Sequence, residues 1–402
     1  LLAVDGSLSA APLFVTAYPD GSFGADNLAP MRPANEPRSS NAAAQPAATS
    51  PGAAAQRSVA PSGNGVIVFQ TASGGDIMVI NPDGSGLRRL SSGIDPVISP
   101  DGQRVAFTRW QGDSGSLWVA NLDGSGERQI TGEIKQARHP SWSPDGKRIV
   151  VNLQHGGRLN SKTTCYSLKG QDPEEIMKKN FPWNLDPEED TWIEYRGTPP
   201  KIVPYLCWEL RPDPHWGLRV VNLADGSIED VATGAYAYGP EWDPANNWRI
   251  INSGSHGLAQ LDLNRNEQWP LTDDRGDHTP TFSPDGSYIA TAYRNNGAYD
   301  IHRLDAGGNN RVQLTKTPLW VGTSVGDGRA WNNVSPAWSP FGYAQDGPGD
   351  SQIAFLTDRS GRWEIWVMNA DGSDQHPMFP AAVNDQINIT YDFVDERALS
   401  WR

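Results

Sequence analysis

Pro140-Ser141-Trp142-Ser143-Pro144-Asp145-Gly146-Lys147-Arg148-Ile149-Val150 reads as two short apolar runs folded about a tight turn. Glycine after aspartate supplies the positive φ that such a turn needs without steric cost. The same pattern returns at Pro96 to Val105, Pro240 to Ile250, Pro280 to Ile289 and Pro336 to Ile353. A second unit follows, reading Glu364-Ile365-Trp366-Val367-Met368-Asn369-Ala370-Asp371-Gly372-Ser373, with counterparts starting at Asp76, Ser116, Gly217, Gly257 and Asp300. A last short strand, such as Arg128-Gln129-Ile130-Thr131, ends each repeat. Four antiparallel strands at a period of roughly 40–45 residues describe a propeller blade.

The anchor of each first strand falls at Ile98, Trp142, Trp242, Phe282, Trp338 and Trp401. Six anchors predict six blades. Residues 65–90 supply only the second, third and fourth strands of their blade. The missing strand stands at the far end, as Ala398-Leu399-Ser400-Trp401. Pairing it beside Val66-Ile67-Val68-Phe69 closes a ring and removes the first and last sheet edges. The expected fold is all-β, a six-bladed β-propeller over residues 65–402 closed by a C-terminal strand.

Composition narrows the alternatives. The chain has 33 basic and 47 acidic residues, a net charge of −14, and no basic stripe, which argues against a nucleic-acid partner. With 41 Gly and 32 Pro it cannot be a helical bundle. No apolar run is long enough for a transmembrane segment. Residues 1–64 hold 16 Ala and 8 Pro and are expected to form a flexible or extended arm. The chain opens on Leu1, so the reading leaves open a signal segment or lipid anchor ahead of it.

The Trp-Ser-Pro-Asp-Gly and Met-Asn-Ala-Asp-Gly-Ser strings resemble the repeats of the TolB family of six-bladed β-propellers. The resemblance covers residues 65–402, interrupted inside blade three. It implies a propeller whose partners are proteins of a cell envelope. That family's additional N-terminal α/β domain has no counterpart in the arm.

Strand order places the Asp-Gly turns on one face of the disc and most long connections on the other: 152–215 inside blade three, 316–334 and 379–397. The segment 341–350 replaces the turn of blade six. Loops on a rigid scaffold usually carry binding, so the long-loop face is the expected working face. The 152–215 insertion has two helix-start signals, Asp172-Pro173-Glu174-Glu175 and Asp186-Pro187-Glu188-Glu189. It also holds both cysteines, Cys165 and Cys207, which points to a local disulfide and an oxidising, extracytoplasmic compartment. Trp183, Trp192 and Trp208 of the insertion, with Trp320, Trp331 and Tyr391, are the candidate partner-binding rings.

Catalytic signals are sparse. Gly322-Thr323-Ser324-Val325-Gly326 matches a nucleophile-elbow spacing but lacks the strand and helix that motif requires. Peptidase activity is not expected. His139 and His278 stand at the entry of first strands and, with a carboxylate such as Asp95, form a candidate metal set. The Asp-Gly-Ser tips read as self-capping turns rather than Ca²⁺ sites. The leading expectation is a non-catalytic interaction scaffold with no cofactor. It would bind a protein partner through the insertion face and the N-terminal arm. The alternative is a cation-dependent lyase or hydrolase acting on extracellular carbohydrate at the channel mouth.

Overall fold

The computed structural model describes residues 65–112, 114–182, 185, 187, 190–295, 298–317, 331–340, 351–391 and 395–402. The N-terminal arm, Trp183, Trp320, the Gly322–Gly326 motif and the 341–350 loop lie outside these residues. The chain divides into two compact units, one holding His155–His215 and the other the repeats.

The repeats form an all-β, six-bladed β-propeller. From the channel outward, blade 1 is Leu399–Trp401, Ile67–Gln70, Asp76–Ile80 and Arg88–Ser92. Blade 2 is Ile94–Ile98, Arg104–Gln111, Ser114–Asn121 and Arg128–Gln129, with Ile134–Lys135 also paired to its third strand. Blade 3 is Arg138–Trp142, Arg148–Arg158, Asp213–Asn222 and Ile228–Asp230. Blade 4 runs Tyr238–Trp242, Arg249–Ser253, Leu258–Asp262 and Glu267–Pro270. Blade 5 runs Asp277–Phe282, Tyr288–Asn295, Ala298–Asp305 and Val312–Gln313. Blade 6 runs Asn333–Trp338, Gln352–Thr357, Glu364–Asn369 and His376–Pro377. The six innermost strands touch one another in cyclic order. Ile67 stands opposite Trp401, Val68 opposite Ser400 and Phe69 opposite Leu399, so the C-terminal strand completes blade 1 as the repeat pattern predicts.

The core lies between the blades, because each sheet buries both faces against its neighbours. One apolar cluster fills each gap. Val68, Ile77 and Val79 meet Ile98, Val105 and Phe107 between blades 1 and 2. Val334, Leu356 and Ile365 meet Ile67, Phe69 and Ile80 across the closing gap. A second device links consecutive blades. The guanidinium at the start of one second strand covers the anchor ring of the next blade: Arg104 over Trp142 at 4.7 Å, Arg148 over Trp242 at 4.8 Å and Arg249 over Phe282 at 5.3 Å. In blade 5 Tyr288 takes that place and stacks on Trp338. Each such cation–π contact contributes about 0.5–2 kcal/mol.

The Asp-Gly turns cap themselves. Asp145 Oδ1 accepts from Ser143 Oγ at 2.6 Å and the Lys147 N–H at 3.1 Å. Asp83, Asp123, Asp225 and Asp371 accept the N–H of the serine two residues on. Gly84, Gly124 and Gly372 have φ of 84°, 87° and 88°, which only glycine adopts without strain.

The His155–His215 unit is a three-stranded antiparallel sheet with Val203–Leu210 between Lys162–Ser167 and Thr191–Arg196. Its helix, Pro173–Asn180, starts where expected, with Asp172 capping the Glu174 N–H at 2.9 Å. Most of the second expected start, Asp186–Glu189, lies outside the described residues. Ile176, Leu185, Leu206 and Trp208 form its core. Cys165 and Cys207 face each other across two strands and form the disulfide. Closing a loop of 42 residues stabilises the unit by roughly 4 kcal/mol in the chain-entropy account. The excursion starts at 155 rather than 152. The reason is Asn152, a buried residue of the blade whose Nδ2 donates to the Gly217 and Ala237 carbonyls, both at 3.0 Å.

Trp401 is 4% exposed in the closing gap. Trp401→Ala is expected to lower the unfolding free energy by about 3–5 kcal/mol. Urea unfolding followed by circular dichroism measures it; an unchanged midpoint would show that the C-terminal strand does not hold the ring.

Candidate functional site

The channel entrance is built from two successive positions of the repeat, four and three residues before each anchor. They read Ile94-Asp95, Arg138-His139, Tyr238-Gly239, His278-Thr279, Val334-Ser335 and Arg397-Ala398. In five blades the second position precedes a proline and has positive φ: Asp95 54°, His139 47°, Gly239 58°, Thr279 44° and Ser335 53°. The pairing register breaks at each of these places, so each is a β-bulge. A bulge re-aims the side chains beside it, here toward the channel.

Asp95 is fully buried. Its Oδ2 accepts the His139 N–H at 3.0 Å and its Oδ1 the Arg397 N–H at 2.9 Å, while its own N–H donates to Gln70 Oε1 at 2.7 Å. It therefore ties blades 1, 2 and 3 together. The His139 ring is also fully buried, and its Nε2 meets the Asp395 carbonyl. Burial pushes the His139 imidazole below its ordinary range, with Arg397 and Arg138 adding to that against the pull of Asp95. His278 differs. Burial works against its charge, yet the Asp395 carboxylate at 3.2 Å raises the imidazole. Asp395 answers in kind: burial opposes its ionisation, and His278 nonetheless holds it below the usual carboxylate range.

Arg138 lies 4.5 Å over the Trp110 ring and 3.5 Å from Glu396 Oε1. Glu396 is 1% exposed, and burial pushes its carboxyl up to about 7 even with Arg138 beside it. Gln70 Nε2 donates to its Oε2 at 2.6 Å. Arg397 spans the channel. Its guanidinium donates to the Pro140 and Pro240 carbonyls, both at 3.0 Å, and pairs with Glu241 at 3.1 Å. Beyond it, toward the Asp-Gly turns, a cavity is lined by Ser141, Trp142, Glu241, Trp242, Trp338 and Trp401. The arrangement can hold charge in a buried, prearranged state, and Ser141 Oγ donates to Glu241 Oε2 at 2.9 Å inside it.

The expected site residues divide. His139 and His278 both reach Asp395, the first its backbone carbonyl and the second its carboxylate; Asp95, whose two oxygens accept backbone N–H groups, stands 3.9 Å from His139 Nδ1 alone. Among the described residues, three His, Cys, Asp or Glu ligand atoms gather within 4.8 Å only at Cys165, Glu194 and Cys207, where the sulfurs are bonded to each other. Of the expected partner-facing rings, Trp192 is 40% exposed, and Trp331 is half-buried, 6.0 Å from the Arg359 guanidinium. Trp208 and Tyr391 are corrections: both are buried. Trp208 is 1% exposed in the core of the His155–His215 unit, stacked on Tyr166. Tyr391 packs against Trp363 and donates its hydroxyl to the Glu396 carbonyl at 2.8 Å. Trp183 and Trp320 are outside the described residues. Sequence reasoning passed over Arg138, Tyr238, Asp395, Glu396 and Arg397. Lining up the two positions ahead of every anchor brings out Arg138, Tyr238 and Arg397; Asp395 and Glu396 precede Arg397 and have no such signal.

Fold and channel define a closed six-bladed β-propeller with a self-filled centre, and it is a TolB-like one. Crystalline TolB from Acinetobacter baumannii superposes with a TM-score of 0.53 at 16% identity, covering 84% of this chain and 66% of that one. In sequence, the chain is 41% identical over 56 residues to the Tol-Pal system protein TolB of Anaeromyxobacter dehalogenans, 14% of this chain and 13% of that protein. It is 34% identical over 92 residues to dipeptidyl-peptidase 5 of Porphyromonas gingivalis, 23% of this chain and 12% of that one. It is 32% identical over 90 residues to the uncharacterized peptidase YuxL of Bacillus subtilis, 22% and 13%. The matches thus span about an eighth of these relatives' length. No family model matches the chain.

A carboxyl raised in the folded state keeps a proton that the unfolded chain releases. Between about pH 4.5 and 7 this group therefore adds a bound proton to the native protein, and its contribution to stability falls as pH rises. Glu396→Gln is expected to flatten that decline. Urea midpoints at half-unit intervals from pH 4.5 to 7.5 test it, and parallel profiles for the two proteins would contradict the buried acid.

Proposed function

We propose that the chain is a non-catalytic, extracytoplasmic interaction scaffold that binds a protein partner through the His155–His215 excursion. One observation carries the reading. Among the described residues, four of the seven large apolar side chains left exposed lie in this excursion: Trp192, Ile193, Tyr195 and Ile202. Exposed aromatic residues on a rigid support are the usual anchors of protein interfaces. The disulfide at Cys165–Cys207 stiffens that support and suits an oxidising compartment. Among the described residues, no helix is long and apolar enough to cross a membrane. Residues 1–64, poor in apolar side chains beyond Ala, would supply a tether and a second contact.

Two further facts favour binding over catalysis. The channel is spanned by Arg397, held to two carbonyls and a carboxylate. The histidines at its entrance are engaged with Asp395, and among the described residues they form no three-ligand cluster with Asp95 of the kind a cation-dependent carbohydrate lyase or hydrolase would need.

Replacing residues 155–215 by a short Gly-Ser turn is expected to abolish partner capture from solubilised envelope while leaving the propeller's circular dichroism and cooperative unfolding intact. Mass spectrometry of the captured fractions reads the difference. Equal recovery by both proteins would remove the excursion from the interface.

A further inference from the structure

The strand Thr191–Arg196 is an outer strand of its sheet, paired on one side only, to Val203–Leu210. An edge strand with apolar side chains in solvent is a template for another strand. Tyr195 is 70% exposed, Ile193 45% and Trp192 40%, and all three lie on this one strand. The opposite edge of the sheet, Lys162–Ser167, has no large apolar side chain in that state. Both are outer strands, and only Thr191–Arg196 holds large apolar side chains in solvent.

The direction of the free backbone groups follows from the register. Cys165 and Cys207 are directly opposed with Cα atoms 4.1 Å apart, the narrow spacing of a non-hydrogen-bonded pair. Cys207 therefore turns its N–H and C=O the other way, toward Trp192. By alternation Trp192, Glu194 and Arg196 bond inward, and Ile193 and Tyr195 present their N–H and C=O outward.

We infer that this edge pairs antiparallel with the same edge of a second copy of the chain, centred on Tyr195. The inference rests on the proposed role of the excursion as a contact element and names the occupant of its outer edge. The ground is self-complementary charge. Turning Glu194-Tyr195-Arg196 about Tyr195 sets Glu194 against Arg196 of the other copy, twice. Those two positions form non-hydrogen-bonded pairs, whose side chains approach most closely. Tyr195 meets its twin through two backbone hydrogen bonds. Ile193 falls beyond the paired residues, where Gly197 of the other copy turns away at a φ of 113°. Each glutamate already pairs with the arginine two residues on, Arg196 Nε to Glu194 Oε1 at 2.9 Å, so both charges stand on one face ready to exchange partners.

Centring on Ile193 instead would set Arg196 against Asp190, which already accepts from Arg211 at 3.1 Å. The strand ends at Arg196, after which Gly197 turns at a φ of 113°, so the pairing is confined to the residues immediately about Tyr195. A two-fold pairing of this kind uses up the edge in each copy and closes. Overall charge does not forbid it: residues 155–215 have 8 basic and 10 acidic residues, so most of the chain's −14 lies elsewhere.

The test is sedimentation velocity of the full chain from 1 to 100 µM. Wild type is expected to form a dimer. Glu194→Arg alone and Arg196→Glu alone each set like charges across the pair and should weaken the dimer at least tenfold. Mixing the two variants should restore it, because each supplies what the other lacks, and restoration also shows that both are folded. The double exchange, Glu194→Arg with Arg196→Glu, should dimerise like wild type. A monomeric wild type at 100 µM overturns the inference, as does either single reversal behaving like wild type or a mixture that stays monomeric. Excursion-dependent capture of a different protein by a monomeric chain would keep the proposed docking role and remove this pairing.

Discussion

Three residues hold the ring shut. Leu399–Trp401 joins Ile67–Gln70 as the inner strand of blade 1, a pairing between segments more than 300 positions apart in the chain. Without it, blade 1 lacks its channel strand, blade 6 loses its neighbour, and the apolar cluster of the closing gap opens to water. The entropy of bringing such distant segments together grows only slowly with loop length. Burial of Trp401, Phe69, Leu356 and their neighbours can therefore outweigh it.

Closure also decides what fills the centre. The residues just ahead of the last strand, Asp395, Glu396 and Arg397, are drawn to the channel because the strand they precede must line it. There they meet bulged residues from the other blades. Positive φ at a non-glycine residue is uncommon and costs on the order of 1 kcal/mol. Its repetition at Asp95, His139, Thr279 and Ser335 indicates a requirement of the architecture. Asp95 spends its carboxylate on the His139 and Arg397 N–H groups, and Ser335 accepts the Ala398 N–H at 2.8 Å. Blade thus supports blade through polar contacts at the channel and apolar ones further out. Buried charges in such a network are costly to leave half-paired, which makes the centre specific about its own register.

A propeller of this kind separates support from recognition. The repeats are occupied with one another: the anchor rings of blades 3, 4 and 5 are covered by a guanidinium group of the preceding blade and that of blade 6 by Tyr288, and their turn aspartates cap their own loops. The excursion is built differently. It relies on a disulfide and a small core of Ile176, Leu185, Leu206 and Trp208, and it leaves Trp192, Ile193 and Tyr195 in solvent. That contrast supports a binding role more directly than any resemblance of fold, since propellers host many activities.

Local pattern was enough for the blades. Alternating apolar runs, Asp-Gly turns and evenly recurring anchors are short-range chemistry, and they determine strand, turn, blade count and even the displaced closing strand. The helix start at Asp172 and the Cys165–Cys207 bond were legible for the same reason. The centre of the molecule was not. Which carbonyl meets His139 Nε2 depends on a residue 256 positions away, and it depends on bulges that a straight reading of Arg138-His139-Pro140 does not show. Trp208 and Tyr391 made the same point in reverse. An aromatic residue in a long connection looks alike in sequence whether it fills a core or faces water, and only the packing of neighbours such as Tyr166 and Trp363 decides between them.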